Sequence, residues 1–328
     1  MKTRDYFNRI GGPTEYTEFF TEKRRRKPHR LTTLFTLCLF SLCLETKAQV
    51  QVVTKVVEKD IPYADGQRVR LNAQKADVTV KGWSRPTVQV RLRLMAKHPD
   101  RAVAEREVAY HQYTLQANGS EIDLSNRFVI PQRAGKLQSQ LKAVYEVSVP
   151  AKALLTLTNS FGDLTLSDVS GDVSLTFEFG KLTLDDIGGK LTVSSNYGDI
   201  DARNLDANLT LKTEKADVTL RDLGGTARIT SRYGKLTLLP ALSLNKLTVE
   251  AARTEITVAT KRLSDFRYDI INTYAPIRVP ESVMGELGKY GSKQTFTYQP
   301  PGSAKPEIHI QNSYSPVSIQ GEKPLVDR

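Results

Sequence analysis

The segments Phe161-Gly-Asp-Leu-Thr-Leu166, Phe179-Gly-Lys-Leu-Thr-Leu184, Tyr197-Gly-Asp-Ile-Asp-Ala202, Lys215-Ala-Asp-Val-Thr-Leu220 and Tyr233-Gly-Lys-Leu-Thr-Leu238 each begin 18 residues after the one before. A fixed period of this length marks a repeat architecture. The apolar positions keep the same count. Leu164, Leu182, Ile200, Val218 and Leu236 form one column, and Leu166, Leu184, Ala202, Leu220 and Leu238 form the next. Val173, Leu191, Leu209 and Ala227 continue the pattern in the second half of the unit, where Gly171, Gly189, Ala207 and Gly225 mark a turn. Within each half-unit the apolar residues stand two apart, with Thr, Ser or a charge between them. That alternation is a strand with one buried and one wet face.

Each unit therefore predicts two short strands joined by two turns. A unit this small cannot offset the entropy of ordering its backbone with its few buried aliphatics. Stacked neighbours must supply the remainder through ladder hydrogen bonds and column packing. The reading is all-β: a β-solenoid, β-helix-like, of about 18–20-residue coils with two short strands per coil and irregular N- and C-terminal coils. Thr254-Glu-Ile-Thr-Val258 follows after a 20-residue step. Asn272-Thr-Tyr-Ala-Pro-Ile-Arg-Val279 and Asn312-Ser-Tyr-Ser-Pro-Val-Ser-Ile319 match 40 residues apart, which reads as two coils. Lys75-Ala-Asp-Val-Thr-Val80 nearly copies the segment at Lys215. Residues 98–142 interrupt the pattern, with a short helix expected over Pro99 to Ala109 and a hairpin turn at Asn118-Gly119. Residues 281–293, with Gly285, Gly288 and Gly291, read as a loop.

The N-terminus carries a different signal. Lys23, Arg24, Arg25, Arg26, Lys27 and Arg30 precede an uncharged apolar run, Leu31 to Leu44, and Ala48 follows at a plausible cut site. These are the parts of a secretory signal peptide, and the run is too short for a comfortable membrane span. The organisation expected is 1–48 signal peptide and basic lead, 49–142 N-terminal β region with insertion, and 143–328 repeats, the last two continuous as one domain. Residues 1–48 hold ten of the 47 basic and five of the 36 acidic side chains, so their removal lowers the net charge from +11 to +6. What remains is mixed in sign, which argues against a nucleic-acid protein. Cys38 and Cys43 leave with the signal, so the mature chain has no disulfide.

The phrases Tyr145-Glu-Val-Ser-Val-Pro150, Asn159-Ser-Phe-Gly-Asp-Leu-Thr-Leu166 and Val169-Ser-Gly-Asp-Val-Ser-Leu175 resemble a family of exported bacterial proteins labelled "putative adhesins" or domains of unknown function. A strand ending in Val-Pro followed by serial Gly-Asp-φ-Thr-φ units carries the resemblance, over roughly residues 68–320 and best over 143–260. It implies a β-solenoid cell-envelope protein and brings no catalytic residues with it.

Candidate chemistry is sparse. Phe161, Phe179, Tyr197 and Tyr233 form an aromatic column, with Tyr274 and Tyr314 in similar Asn-x-Tyr settings. Such rings could bind sugars through their flat faces or stack at a coil corner; their place beside glycine favours the corner. Asp163, Lys181, Asp199, Asp217, Lys235 and Glu255 form a charged column. A repeated calcium site would need acids in successive coils, and lysine interrupts twice, so the column reads as avoidance of like-charge stacking. His98, His111 and His309 share no metal spacing, and Asp185-Asp186 reads as a solvated turn. No cofactor, metal or catalytic constellation is expected.

The function expected is a noncatalytic exported envelope protein, periplasmic or at the cell surface, that binds an envelope protein or glycan along its side. Nucleic acid and a mature membrane span are not expected, and edge-mediated self-association is. One alternative is an envelope sensor acting through a membrane partner. A further alternative is a polysaccharide-active β-helix enzyme, for which Asp123, Arg127, Arg133 and Lys136 in the insertion would be the residues to inspect.

Overall fold

In the computed structural model, which describes residues 50–302 and 304–321, the alternation read above becomes a single all-β sheet of 17 strands. The expected signal peptide, its cleavage after Ala48, and Cys38 and Cys43 lie outside the described residues. In chain order the strands are β1 (Gln51–Pro62), β2 (Arg68–Gln74), β3 (Ala76–Trp83), β4 (Thr87–His98), β5 (His111–Asn118), β6 (Glu121–Phe128), β7 (Gln140–Pro150), β8 (Leu154–Ser160) and β9 (Leu164–Val169). They continue with β10 (Asp172–Glu214), β11 (Val218–Thr260), β12 (Arg267–Thr273), β13 (Ile277–Arg278), β14 (Leu287–Tyr290), β15 (Lys293–Tyr298), β16 (Glu307–Ser313) and β17 (Val317–Gly321). Helix α1 (Arg101–Glu107) lies within the insertion, as its sequence predicts; its N-cap Asp100 side chain accepts from the Ala102 N–H at 2.8 Å.

The 18-residue period is the register of the sheet. Leu155 pairs with Val173, Leu164 with Leu182, and Ile200 with Val218, all in parallel. Side chains one period apart therefore stand one strand spacing apart, about 4.8 Å. The column Leu164, Leu182, Ile200, Val218 and Leu236 is at most 2% exposed. The threonines between the apolar positions, such as Thr165 and Thr183, face outward and are partly exposed.

At both ends the order of strands in space departs from the order in sequence. β2 lies between β6 and β8, with Val69 paired to both Ile122 and Leu155. β3 likewise lies between β7 and β9. At the other end β16 lies between β11 and β12, with Ile310 paired to both Val249 and Ile270. This corrects the reading of the Asn272 and Asn312 segments as two coils apart: Asn272 and Asn312 are direct ladder partners. The chain reaches β12, turns out through β14 and β15, and returns into the place between β11 and β12.

Residues 281–293 are also not a loop. Glu281–Glu286 forms a short 3-10 helix, and β14 pairs antiparallel with β15, Leu287 opposite Phe296. The three glycines suggested irregular chain, but Phe296 is fully buried against Ile270 and anchors this hairpin on the last parallel strand. At the N-terminal end β4 runs antiparallel to β1 and β7, and β5 and β6 form the hairpin expected at Asn118-Gly119. Glu107, 2% exposed, accepts from the N–H groups of Ser139 at 2.6 Å and Gln138 at 3.2 Å. Burial opposes its ionisation, yet these donors hold its carboxyl below the ordinary value.

Candidate functional site

One corner of the stack collects the aromatic column. Lys75, Phe161, Phe179, Tyr197, Lys215, Tyr233, Arg253, Tyr274 and Tyr314 all adopt left-handed backbone, with φ between 48° and 66°. This conformation costs a residue bearing a Cβ about 1–2 kcal/mol. It turns the chain sharply and projects the side chain outward. The small residue that follows allows neighbouring corners to approach closely: at Gly234, with φ of 104°, an added Cβ would fall 2.2 Å from the Ala216 carbonyl oxygen.

The ladder pairings order these residues as Lys75, Phe161, Phe179, Tyr197, Lys215, Tyr233, Arg253, Tyr314 and Tyr274. Phe161 and Phe179 stack at 4.9 Å between centroids with planes 3° apart. Phe179 and Tyr197 stack at 5.2 Å and 6°, and Tyr274 and Tyr314 at 4.9 Å and 15°. The cations complete the series. Lys215 Nζ lies 4.9 Å from the Tyr197 centroid. The Arg253 guanidinium lies 5.6 Å from the Tyr233 centroid and 5.2 Å from that of Tyr314. Lys215 and Arg253 also donate to the hydroxyls of Tyr197 and Tyr233, at 3.2 and 3.1 Å. The Tyr197 hydroxyl beside Lys215 raises its pKa above the usual lysine value. The six rings remain between 39% and 63% exposed.

The interior of the same corner is polar except at Phe177. Asn159, Ser195, Thr213, Ser231, Thr254, Asn272 and Asn312 are all at most 3% exposed. Asn159 Nδ2 donates to the Gly162 carbonyl at 3.1 Å, and Ser195 Oγ to that of Gly198 at 3.0 Å. Thr213, Ser231 and Thr254 form a hydroxyl chain with steps of 3.1 and 3.2 Å. Asn272 Nδ2 reaches the carbonyls of Ala275, Pro276 and Ser315. These short side chains bond carbonyls of the turn or one another, and the Pro276 carbonyl also accepts from the Val317 N–H.

The charged column has a related structural use. The N–H groups of Lys181, Asp217 and Lys235 each donate, at 2.9 Å, to the carboxylates of Asp163, Asp199 and Asp217 one repeat earlier. Avoidance of like-charge stacking is therefore not its whole account, because Asp199 and Asp217 are adjacent members. Asp185 is bound by Arg203 at 2.6 Å and by Asn204. The Arg203 guanidinium lowers its pKa, so Asp185 is an ion-pair member rather than a merely solvated turn residue. His111 is buried against Phe128, and His309 Nδ1 lies 2.9 Å from Asp269. Of the residues that an enzyme would need, Asp123 and Arg127 lie on β6, Arg133 in the exposed 3-10 turn Gln132–Ala134, and Lys136 just beyond that turn. No hydrogen bond or ion pair joins these four. Among the described residues no group of three or more His, Cys, Asp or Glu could hold a metal ion.

The members missed from sequence are Lys75, Lys215 and Arg253. The 18-residue step already places Lys215 midway between Tyr197 and Tyr233, so the signal was positional rather than chemical.

The profile of the Toastrack DUF4097 family matches residues 61–320, and the chain belongs to that family. No curated protein matches it. Among solved structures, the chain is similar to a "putative adhesin" of Bacteroides fragilis NCTC 9343, at 11% identity over 81% of this chain and 97% of that one, with a TM-score of 0.45. It is also similar to a "putative lipid binding protein" of Parabacteroides distasonis ATCC 8503, at 14% identity over 83% and 95%, TM-score 0.39. A "putative adhesin" of the same organism aligns at 11% identity over 81% and 97%, again with a TM-score of 0.39. Among the described residues no helix is long and apolar enough to cross a membrane.

Proposed function

We propose that this is an exported, noncatalytic envelope protein, adhesin-like, in which a β-solenoid of two-stranded coils presents the aromatic and cationic spine to a partner. The 18-residue parallel register supports the solenoid winding. A basic lead, an apolar run and a small residue at position 48 support export.

The observation that carries the binding reading is a contrast between two corners of one chain. Asp168, Asp186, Asn204 and Asp222 also adopt left-handed backbone, with φ between 52° and 59°. Asp and Asn tolerate that conformation, and they suffice to turn the chain there. The fold thus does not demand aromatics at a left-handed corner. Six rings at the other corner, stacked on one another or on cations, still leave apolar edges in water that a purely structural turn would not need. A row of ring edges interrupted by cations suits a partner with apolar C–H-bearing surfaces and acceptor groups.

The test has two readouts on the full chain in its native cell. The mature N-terminus is sequenced and external protease is applied to intact cells. The purified protein is then screened on cell-surface glycans and envelope extracts. Cleavage near Ala48 with binding that depends on the spine supports the proposal. An uncleaved cytoplasmic product, or turnover of a polysaccharide, contradicts it.

A further inference from the structure

The spine is stacked over most of its length and open at its two end rings, Phe161 and Tyr274. Phe161 is stacked on one face by Phe179. Among the described residues no ring or cation covers the other, although Lys215 and Arg253 fill the corresponding place beside Tyr197, Tyr233 and Tyr314. A cavity of about 420 Å³ lies here, lined by Phe161 and Phe179 together with Lys75, Lys97, Gln140 and Lys142. Its size falls within the range of about 300–1,000 Å³ common for small-molecule sites.

The charge of this cavity is one-sided. Lys142 Nζ is paired with Asp77 at 2.5 Å. Lys75 and Lys97 are exposed and have no ion-pair partner among the described residues. Three elements bring the lysines together: Lys75 at the left-handed corner between β2 and β3, Lys97 near the end of β4, and Lys142 near the start of β7. A larger cavity, about 520 Å³ and lined by residues of β1, β3, β4 and β7, differs in this respect. There Arg91 is neutralised by Glu58 at 3.2 Å and Glu146 at 3.7 Å.

We propose that the Phe161 cavity binds an acidic carbohydrate, a uronic acid unit of a polyanionic glycan. The C–H face of the sugar ring would continue the stack on Phe161, and its carboxylate would meet Lys75 and Lys97. Charge complementarity selects this occupant over a neutral sugar. The next units of the same chain could follow the spine toward Phe179 and Tyr197. This inference rests on the spine being a binding surface and names the class of ligand at one end of it.

The test is isothermal titration of the full chain with trigalacturonate at low salt, with neutral galactotriose as control. A dissociation constant of about 1 mM or tighter is expected for the acid, and at least about tenfold weaker binding for the neutral sugar. Lys75→Gln with Lys97→Gln, and separately Phe161→Asn, should each weaken binding about tenfold or more. Asparagine tolerates the left-handed backbone at 161, and circular dichroism checks that each variant is folded. Tyr274→Asn, at the far end of the spine, should bind as the parent does. No binding of trigalacturonate, equal binding of the neutral sugar, or binding unaffected by both variants would overturn the inference. If trigalacturonate fails while cell-surface binding still depends on Tyr197 and Tyr233, only this inference falls; if both fail, the spine reading falls with it.

Discussion

Lys215 covers the face of Tyr197, its Nζ 4.9 Å from the ring centroid while donating to the phenolic oxygen at 3.2 Å. One side chain one repeat away thus makes both a cation–π and a hydrogen-bonded contact. The position is occupied interchangeably along the chain by rings and by long cations. Lys215→Tyr should therefore leave the thermal midpoint nearly unchanged, by extending the stack between Tyr197 and Tyr233. Lys215→Val should lower it by several degrees, because a β-branched residue is poorly accommodated at φ of 54°. A scanning-calorimetry comparison in which valine is tolerated as well as tyrosine would refute this.

Asn272 serves the interior of the same corner, with three carbonyls bonded to one amide nitrogen. Asn272→Leu preserves the volume approximately and removes the side-chain donor of the Ala275 carbonyl, while Pro276 keeps the Val317 N–H and Ser315 keeps the Asn312 amide. The expected loss is about 1–3 kcal/mol, read from urea unfolding. A loss below about 1 kcal/mol would show that the turn does not depend on this amide.

Gly198 and Phe177 exclude any larger side chain between them. A Cβ at Gly198 would stand 2.4 Å from the Phe177 ring, and Phe177 is fully buried. Gly198→Ala should cost about 1–3 kcal/mol by overpacking. Phe177→Leu should recover part of that cost, giving a non-additive double-mutant cycle. Strict additivity would mean that the two positions do not compete for space.

Acid should destabilise the fold. The Lys246 ammonium at 3.0 Å and the Arg267 guanidinium at 2.6 Å lower the pKa of Glu307. Glu107 is lowered too, although burial opposes it, by the N–H groups of Ser139 and Gln138. A carboxylate depressed in the folded state contributes stability that is present above its unfolded value and lost as pH falls through its folded one. The urea midpoint should be nearly constant from about pH 7 to 5 and decline below about pH 4.5. Glu107→Gln should make that decline shallower. A midpoint rising toward acid would contradict the assignment.

The repeat and its buried columns were legible because strand alternation and an 18-residue count are local properties of the chain. Leu164, Leu182, Ile200, Val218 and Leu236 could be aligned without knowing their surroundings. The stacking order at the ends could not. The segments at Asn272 and Asn312 carry the same pattern whether neighbours or two repeats apart, and only the excursion through β14 and β15 decides it. That hairpin was itself masked by Gly288, a strand residue opposite Thr295. Lys215 and Arg253 were missed from the spine because the column was collected by residue type. The inner asparagines and hydroxyls were missed because short polar residues next to a glycine read as ordinary turn chemistry.

The central claim is that the exposed rings serve a partner rather than the fold, and one paired measurement on Tyr197→Asn with Tyr233→Asn tests it. Chemical unfolding and cell-surface glycan or envelope binding are read on the same preparation. The account predicts stability within about 2 kcal/mol of the parent, since asparagine offsets lost ring contacts by relieving left-handed strain, together with loss of binding. A variant that unfolds far more easily, or one that stays folded and binds as the parent does, would contradict it.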